Sequence, residues 1–148
     1  MSIVATNRRA RHDYTLFNTV EAGIVLKGTE VKSLRMRLVS LTESFARIDD
    51  DEVFLYNMHI NPYEHGGINN VEPTRTRKLL LHKAQIKRLA GDVSQKGFTL
   101  IPLQVYFKRG VAKVEIAVAR GKQNYDKRQK LKKDEHDREV RRAMSSRG

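Results

Sequence analysis

The sequence predicts a mainly β domain: an OB-like antiparallel β-barrel with flanking short helices and a basic C-terminal tail. Three observations carry this expectation. Alternating apolar runs recur between Tyr14 and Ala119, two short stretches of helical spacing interrupt them, and from Gly121 onward charge replaces apolar periodicity. With 148 residues and 39% hydrophobic content, the chain supports one modest core, assigned to residues 1–120, followed by a tail over 121–148. A flat α+β sandwich is the other architecture these elements allow.

Tyr14 to Leu26 reads as a long strand in which Gly23 marks a bend or bulge. Thr29 to Arg35 is a short helix with Val31, Leu34 and Leu38 toward one side. Leu41–Ile48 and Val53–Ile60 form a hairpin across the acidic turn Asp49-Asp50-Asp51-Glu52, where turn chemistry favours Asp. The connection NPYEHGGINNVEPT, Asn61 to Thr74, is expected to be mobile and receives no role. Arg75 to Leu81 is a further strand. Lys83 to Gln95 sets Ile86, Leu89 and Val93 at i, i+3 and i+7, a helix that covers one end of the sheet and stops at Gly97. Ile101, Leu103, Val105 and Phe107 share one strand face, and Pro102 makes that strand an edge or bulges it. A loop at Lys108-Arg109-Gly110 joins it to Val111–Ala119, where Ala112, Val114, Ile116 and Val118 oppose Lys113 and Glu115.

The chain carries 29 basic and 17 acidic residues, a net charge of +12, which points to a polyanionic partner. Arg120 to Gly148 holds 11 basic and 5 acidic residues, so half the excess lies in a fifth of the length. Without Cys there is no disulfide framework, thiolate metal site or Cys nucleophile, and a reducing, cytoplasmic setting is expected. MSIVATNRRARHD puts its apolar piece before its charges, the reverse of a secretory signal, and no run approaches the ~20 apolar residues that span a bilayer.

Motifs for catalysis or metal binding are weak. GIVLKGT, Gly23 to Thr29, lacks the Lys that a phosphate-cradling loop needs, since Thr29 stands there. The acidic run 49–52 lacks further ligands at Ca²⁺-loop spacing, and His12, His59, His65, His82 and His136 show no metal spacing. No metal or cofactor is expected. Basic groups interleaved with groups that stack are the stronger signal: Asn7, Arg8, Arg9, Arg11, His12 and Tyr14; Lys32 and Arg35; Arg75, Arg77 and Lys78. On charge alone each cluster is equally a solvated basic face.

In the tail, Asp126→Lys130, Asp134→Arg138 and Asp137→Arg141 place an acid four residues before a base, each pair worth about 0.2–0.5 kcal/mol of helix. An isolated helix of this length is marginal, and Leu131, Val140 and Met144 make no continuous stripe. The tail is therefore expected to be disordered alone and helical against a polyanion.

NRRARHDY (7–14), EAGIVLKGTEVKSLR (21–35), PTRTRKLLLHK (73–83), KGFTLIPLQVYF (96–107), KVEIAVARGK (113–122) and YDKR (125–128), in that order and spacing, resemble the small protein B family, the SsrA-binding proteins of bacterial trans-translation. The resemblance implies an OB-like barrel that binds the tRNA-like domain of transfer-messenger RNA and delivers it to stalled ribosomes. It places Asn7, Arg8, Arg11, His12, Tyr14, Glu21, Lys32, Arg35, Leu80 and Lys113 on the RNA-binding side. It also places Gly121, Tyr125, Asp126, Lys127 and Arg128 in a tail that becomes helical on small-subunit RNA, in the empty messenger channel near the decoding centre. The implied protein acts as a monomer, without a membrane and without making or breaking a bond. The chain departs from the family at Met36-Arg37-Leu38, where a small residue, Gly and a base are common. Two other readings stay open at this point: a less selective OB-type RNA or ribosome binder, and an RNA-processing enzyme using His12 and Glu21 as base and acid, for which no motif speaks.

Overall fold

The computed structural model describes residues 2–122. The expectations for Tyr125, Asp126, Lys127, Arg128 and the helical tail lie outside the described residues. In chain order the elements are β1 (Ser2–Thr6), α1 (Ala10–Asp13), β2 (Tyr14–Ile24), α2 (Gly28–Arg35), β3 (Val39–Ser40) and β4 (Phe45–Asp49). They continue with β5 (Glu52–Tyr56), β6 (His59–Ile60), β7 (Arg77–Leu80), α3 (Lys83–Lys96), β8 (Thr99–Lys108) and β9 (Val111–Gly121).

Antiparallel pairings run β8–β4–β5–β7–β2–β9 and return to β8, so six strands close a ring. β9 occupies one edge of β8 along its length, while β4 and β1 take successive parts of the other edge. β3 and β6 form a separate two-stranded ribbon. Inside the ring pack Val53, Leu55, Leu79, Leu100, Val105, Val114, Ile116 and Val118, all essentially without solvent contact. The alternation expected for β9 holds from Ala112 to Ile116. It then yields to burial on both faces, because Ala117 and Ala119 lie with Ala10 of α1, Ile101 and Leu103 in a second small cluster outside the ring.

Two hairpin turns use backbone of positive φ, the twist that two-residue connections require. Arg109-Gly110 takes +53° and +78°, and Asp50-Asp51 takes +49° and +61°. α3 buries Ile86 and Leu89 and ends at Gly97, whose φ of +65° lets its N–H close on the Val93 carbonyl at 3.1 Å. Pro102 lies within β8 rather than at an edge, and the register with β9 slips between Pro102 and Gln104, so a bulge absorbs the missing donor.

Several sequence expectations need correction. The irregularity in β2 falls between Leu16 and Thr19, not at Gly23. Gly23 instead pairs with both Leu80 and Lys113, where β2 is shared between β7 and β9. Leu41 precedes β4 and is buried in a turn, and Leu38 is exposed, because the chain after α2 goes to the β3–β6 ribbon and does not extend the helix. β1 and α1 were not expected: five and four residues carry too little periodicity to announce themselves, and both are held by β8.

Candidate nucleic-acid interface

One rung of the sheet crosses five strands. Leu80 of β7 faces Gly23 of β2, Gly23 faces Lys113 of β9, Lys113 faces Tyr106 of β8, and Tyr106 faces Ile3 of β1. Residues in register share a face, and alternation puts this one outside the ring. Its apolar ends, Leu80 and Ile3, are 52% and 42% exposed. Gly23 has a reason to be Gly here: a Cβ would sit 3.3 Å from the Leu80 Cβ, so the leucine leans over bare backbone.

Glu21, two residues before Gly23 on the same face, projects across β9. Its carboxylate accepts the Tyr106 hydroxyl proton in a short hydrogen bond and lies 3.6 Å from the Lys108 ammonium. β2 and β8 are two strand spacings apart, on the order of 10 Å, a gap that these side chains bridge together. The Tyr106 hydrogen bond, aided by Lys108 and Lys113, holds the Glu21 carboxyl below its ordinary range, while burial and Glu21 push the phenol up. The face thus presents a fixed carboxylate between two ammonium groups, flanked by apolar side chains.

α2 stands at the same end of the ring. Arg35 places its guanidinium 4.7 Å from the Phe107 ring centroid, next to Tyr106, and Lys32 lies 5.2 Å from the Tyr63 ring. Tyr63 belongs to the 61–74 connection, which contains a single 3-10 turn at Gly67–Asn69 and whose Asn69 carbonyl accepts a hydrogen bond from Thr29. Both cations remain exposed.

The helix is anchored by a buried ion network. Glu30, 3% exposed, receives Arg75 Nη2 and Arg77 Nε at 2.6 Å each, and the Lys27 N–H at 2.8 Å. Arg77, with no exposure, also donates to the Pro73 carbonyl at 2.9 Å and to the Met58 carbonyl. Burial alone would raise the Glu30 carboxyl, but hydrogen bonds from Arg75, the Lys27 N–H and Arg77 bring it below its usual value. Arg77, which the sequence places among the basic residues of this strand, instead faces inward on β7, fully buried and paired with Glu30. Lys78 is exposed, but it pairs with Glu52 at 3.0 Å.

The remaining candidates gather at the opposite end of the β2–β9 ladder, where Tyr14 pairs with Gly121. From Lys113 to Gly121 is eight residues along β9, on the order of 27 Å. Asn7 is half-buried and ties the segment to β8: its side-chain amide donates to the Pro102 carbonyl at 3.0 Å and its backbone N–H to Leu103 at 2.7 Å. Arg8, Arg11 and His12 are exposed around α1; His12 Nδ1 lies 2.9 Å from the Asp13 carboxylate, and the Arg11 carbonyl accepts Lys122 Nζ at 3.2 Å. Tyr14 packs on the Ala10–Ile101–Leu103 cluster. The structure therefore places Glu21, Lys32, Arg35, Leu80 and Lys113 at one end and Arg8, Arg11, His12 and Tyr14 toward the other, with Asn7 between them at the middle of β8. His12 and Glu21 fall in different groups and do not form an acid–base pair.

Sequence reasoning missed Tyr106 and Lys108, which orient Glu21, and the Glu30–Arg77 pair that carries α2. Tyr106 alternates with the inward Val105 and Phe107, a signal that was readable. The Glu30–Arg77 pairing spans 47 positions and had none. Among the described residues no cluster of three or more His, Cys, Asp or Glu forms a metal site, and no helix is long and apolar enough to cross a membrane.

Comparison with known proteins adds a second line of evidence. The family model for the SmpB protein matches residues 4–146. The SsrA-binding protein of Caldicellulosiruptor bescii is 60% identical over 144 residues, covering 97% of this chain and 91% of that one. The SsrA-binding protein of Enterococcus faecalis is 55% identical over 144 residues, covering 97% and 94%. Among solved structures, a chain of "tmRNA-SmpB: a journey to the center of the bacterial ribosome" shares 60% identity at a TM-score of 0.67, over 79% of this chain and 82% of that one.

Proposed function

The chain belongs to the SmpB protein family, and from that membership we propose that it is an RNA-binding adaptor of trans-translation, which binds the tRNA-like domain of transfer-messenger RNA and brings it to stalled ribosomes. The observation that carries this is the extent of the match: it runs from residue 4 to 146 and so takes in the barrel and the tail together. Its relatives are named for binding SsrA, and the solved neighbour joins tmRNA, SmpB and the ribosome in its name.

The chemistry of the two groups of barrel residues suits a folded RNA better than an extended strand. Lys113, Lys32 and Arg35 supply cations for phosphates, Glu21 supplies an acceptor for base or ribose donors, and Leu80 offers apolar contact to an unstacked base. A carboxylate weakens pure phosphate affinity, so its presence among cations favours selectivity over general polyanion binding. The protein holds and positions; it makes and breaks no bond. The tail over 121–148 is proposed to meet ribosomal RNA, with Tyr125, Lys127 and Arg128 as its contacts.

The test is capture of the tagged protein from bacterial extract in moderate salt, with sequencing of the bound RNA and competition by tRNA and unstructured RNA. Enrichment of tmRNA that survives competition is expected. Displacement by unstructured RNA would leave only a nonspecific binder, because phosphate-only affinity collapses as salt rises.

A further inference from the structure

Between the Leu16–Ala119 and Thr19–Ala117 pairs, β2 leaves its ladder with β9 for two residues, Phe17 and Asn18. Such a bulge re-aims a side chain, and here it turns out an aromatic one: Phe17 is 47% exposed. Its ring stacks on Phe98, with centroids 4.6 Å apart and planes 18° from parallel. The Arg120 guanidinium lies 4.9 Å from the Phe98 centroid and 6.0 Å from that of Phe17. Lys96, which also lies 3.9 Å from Asp92, is 5.9 Å from Phe98.

A half-exposed Phe on a bulge contributes little to the core and leaves apolar surface in water. The cationic rim disfavours an apolar protein partner. The chain's own residues 123–148 carry nine basic and five acidic side chains, and a net positive segment complements a cationic rim less well than a polyanion does. What matches a flat π-surface bordered by cations is an unpaired nucleobase with its own phosphate alongside. We propose that Phe17, Phe98 and Arg120 form a base-stacking site for an unpaired nucleotide of the bound RNA. It lies seven residues along β9 from Lys113, on the order of 24 Å from the Leu80–Lys113 rung. The proposal rests on the reading that this protein binds RNA.

The test uses the full-length protein, with transcribed tmRNA and purified ribosomes as the two probes. Wild type, Phe17→Tyr, Phe17→Leu and Phe17→Ala are compared by binding titration, with thermal melts to verify folding. Stacking contacts of this kind predict that Phe17→Ala and Phe17→Leu lose about 5- to 150-fold on at least one probe. Phe17→Tyr, which keeps the π-face, should bind like wild type, and ultraviolet cross-links to RNA should map to peptides holding Phe17 or Phe98. If Phe17→Leu binds both probes like wild type, the ring serves packing alone and the proposal is overturned while RNA binding stands. A Lys96 cross-link to residues 123–148 that persists with RNA bound would put the tail in the site and also overturn it. If the wild type binds neither probe, the underlying RNA reading falls as well.

Discussion

Arg77 Nε meets Glu30 Oε2 at 2.6 Å in a place where the guanidinium has no exposure and the carboxylate almost none. The pair joins α2 to β7, and through the Pro73 and Met58 carbonyls it also gathers the ends of two connections. Two charges are removed from water there, and the Arg77 guanidinium is compensated by Glu30 and the two carbonyls, whereas Arg75 Nε at the network's edge is buried without a partner. Glu30→Ala strands the Arg77 charge and is expected to cost about 3–5 kcal/mol in urea unfolding. Glu30→Leu combined with Arg77→Met should cost less than the two single changes added together, which a double-mutant cycle would read. Strict additivity would show that the two side chains are not coupled.

The same carboxyl sets an acid limit on stability. Because the folded-state pKa of Glu30 is lowered, its contribution is fully present above the unfolded value of about 4.3 and is lost as pH falls through the folded value. Wild-type stability should therefore drop below about pH 4.3 with an extra slope of up to ~1.4 kcal/mol per pH unit that Glu30→Gln lacks. Parallel pH–stability curves for the two proteins would place the acid sensitivity elsewhere.

Arg37 holds φ of +60° immediately after α2. An L-residue in this left-handed region is strained by roughly 1–2 kcal/mol, and Gly is not. Arg37→Gly is thus expected to raise stability by about 1 kcal/mol, reduced by the entropy Gly adds to the unfolded chain. A shift of the urea midpoint to lower concentration would contradict it.

That residue also shows how far the sequence could be read. Position 37 carries Arg, not Gly, yet the turn is formed, closed by the Arg37 N–H on the Leu34 carbonyl at 2.9 Å and the Leu38 N–H on the Ser33 carbonyl at 3.0 Å. Where information was local the reading was good: β9 from its alternation, α3 and its Gly97 stop, and the hairpin at Asp50-Asp51. Where it depended on distant partners it failed. Nothing near Arg77 says that a carboxylate 47 positions earlier would draw it inward, and nothing near Glu21 names Tyr106. The β8–β9 pairing follows from hairpin adjacency, but the pairings of β9 with β2 and of β8 with β4 that close the ring, like the docking of β1 on β8, join strands far apart in sequence.

On the outer rung, Glu21 and Lys113 are expected to act differently. Lys113→Ala should weaken tmRNA binding and lower the salt slope by about one unit, as loss of one phosphate contact does. Tyr106→Phe removes the donor that orients Glu21, leaves its charge in place, and should reduce discrimination between tmRNA and tRNA at nearly unchanged salt slope. Thermal melts of both variants would check folding. Equal slopes for Lys113→Ala and wild type would remove Lys113 from the phosphate contacts.

A cut after Lys122 is expected to separate grip from delivery. β9 reaches Gly121 opposite Tyr14, and Lys122 Nζ donates to the Arg11 carbonyl at 3.2 Å, so a chain ending at 122 keeps every described strand pair and this contact. A cut before Gly121 would remove both and confuse loss of the tail with loosening of α1. The chain ending at 122 should still bind tmRNA with a nearly unchanged salt slope, because the nine basic residues removed are proposed to contact ribosomal RNA and not tmRNA. It should fail to support peptide tagging on stalled ribosomes in a reconstituted translation assay. If tagging proceeds without residues 123–148, the ribosomal role belongs to the barrel, and the Phe17 end of the ladder becomes the place to look for it.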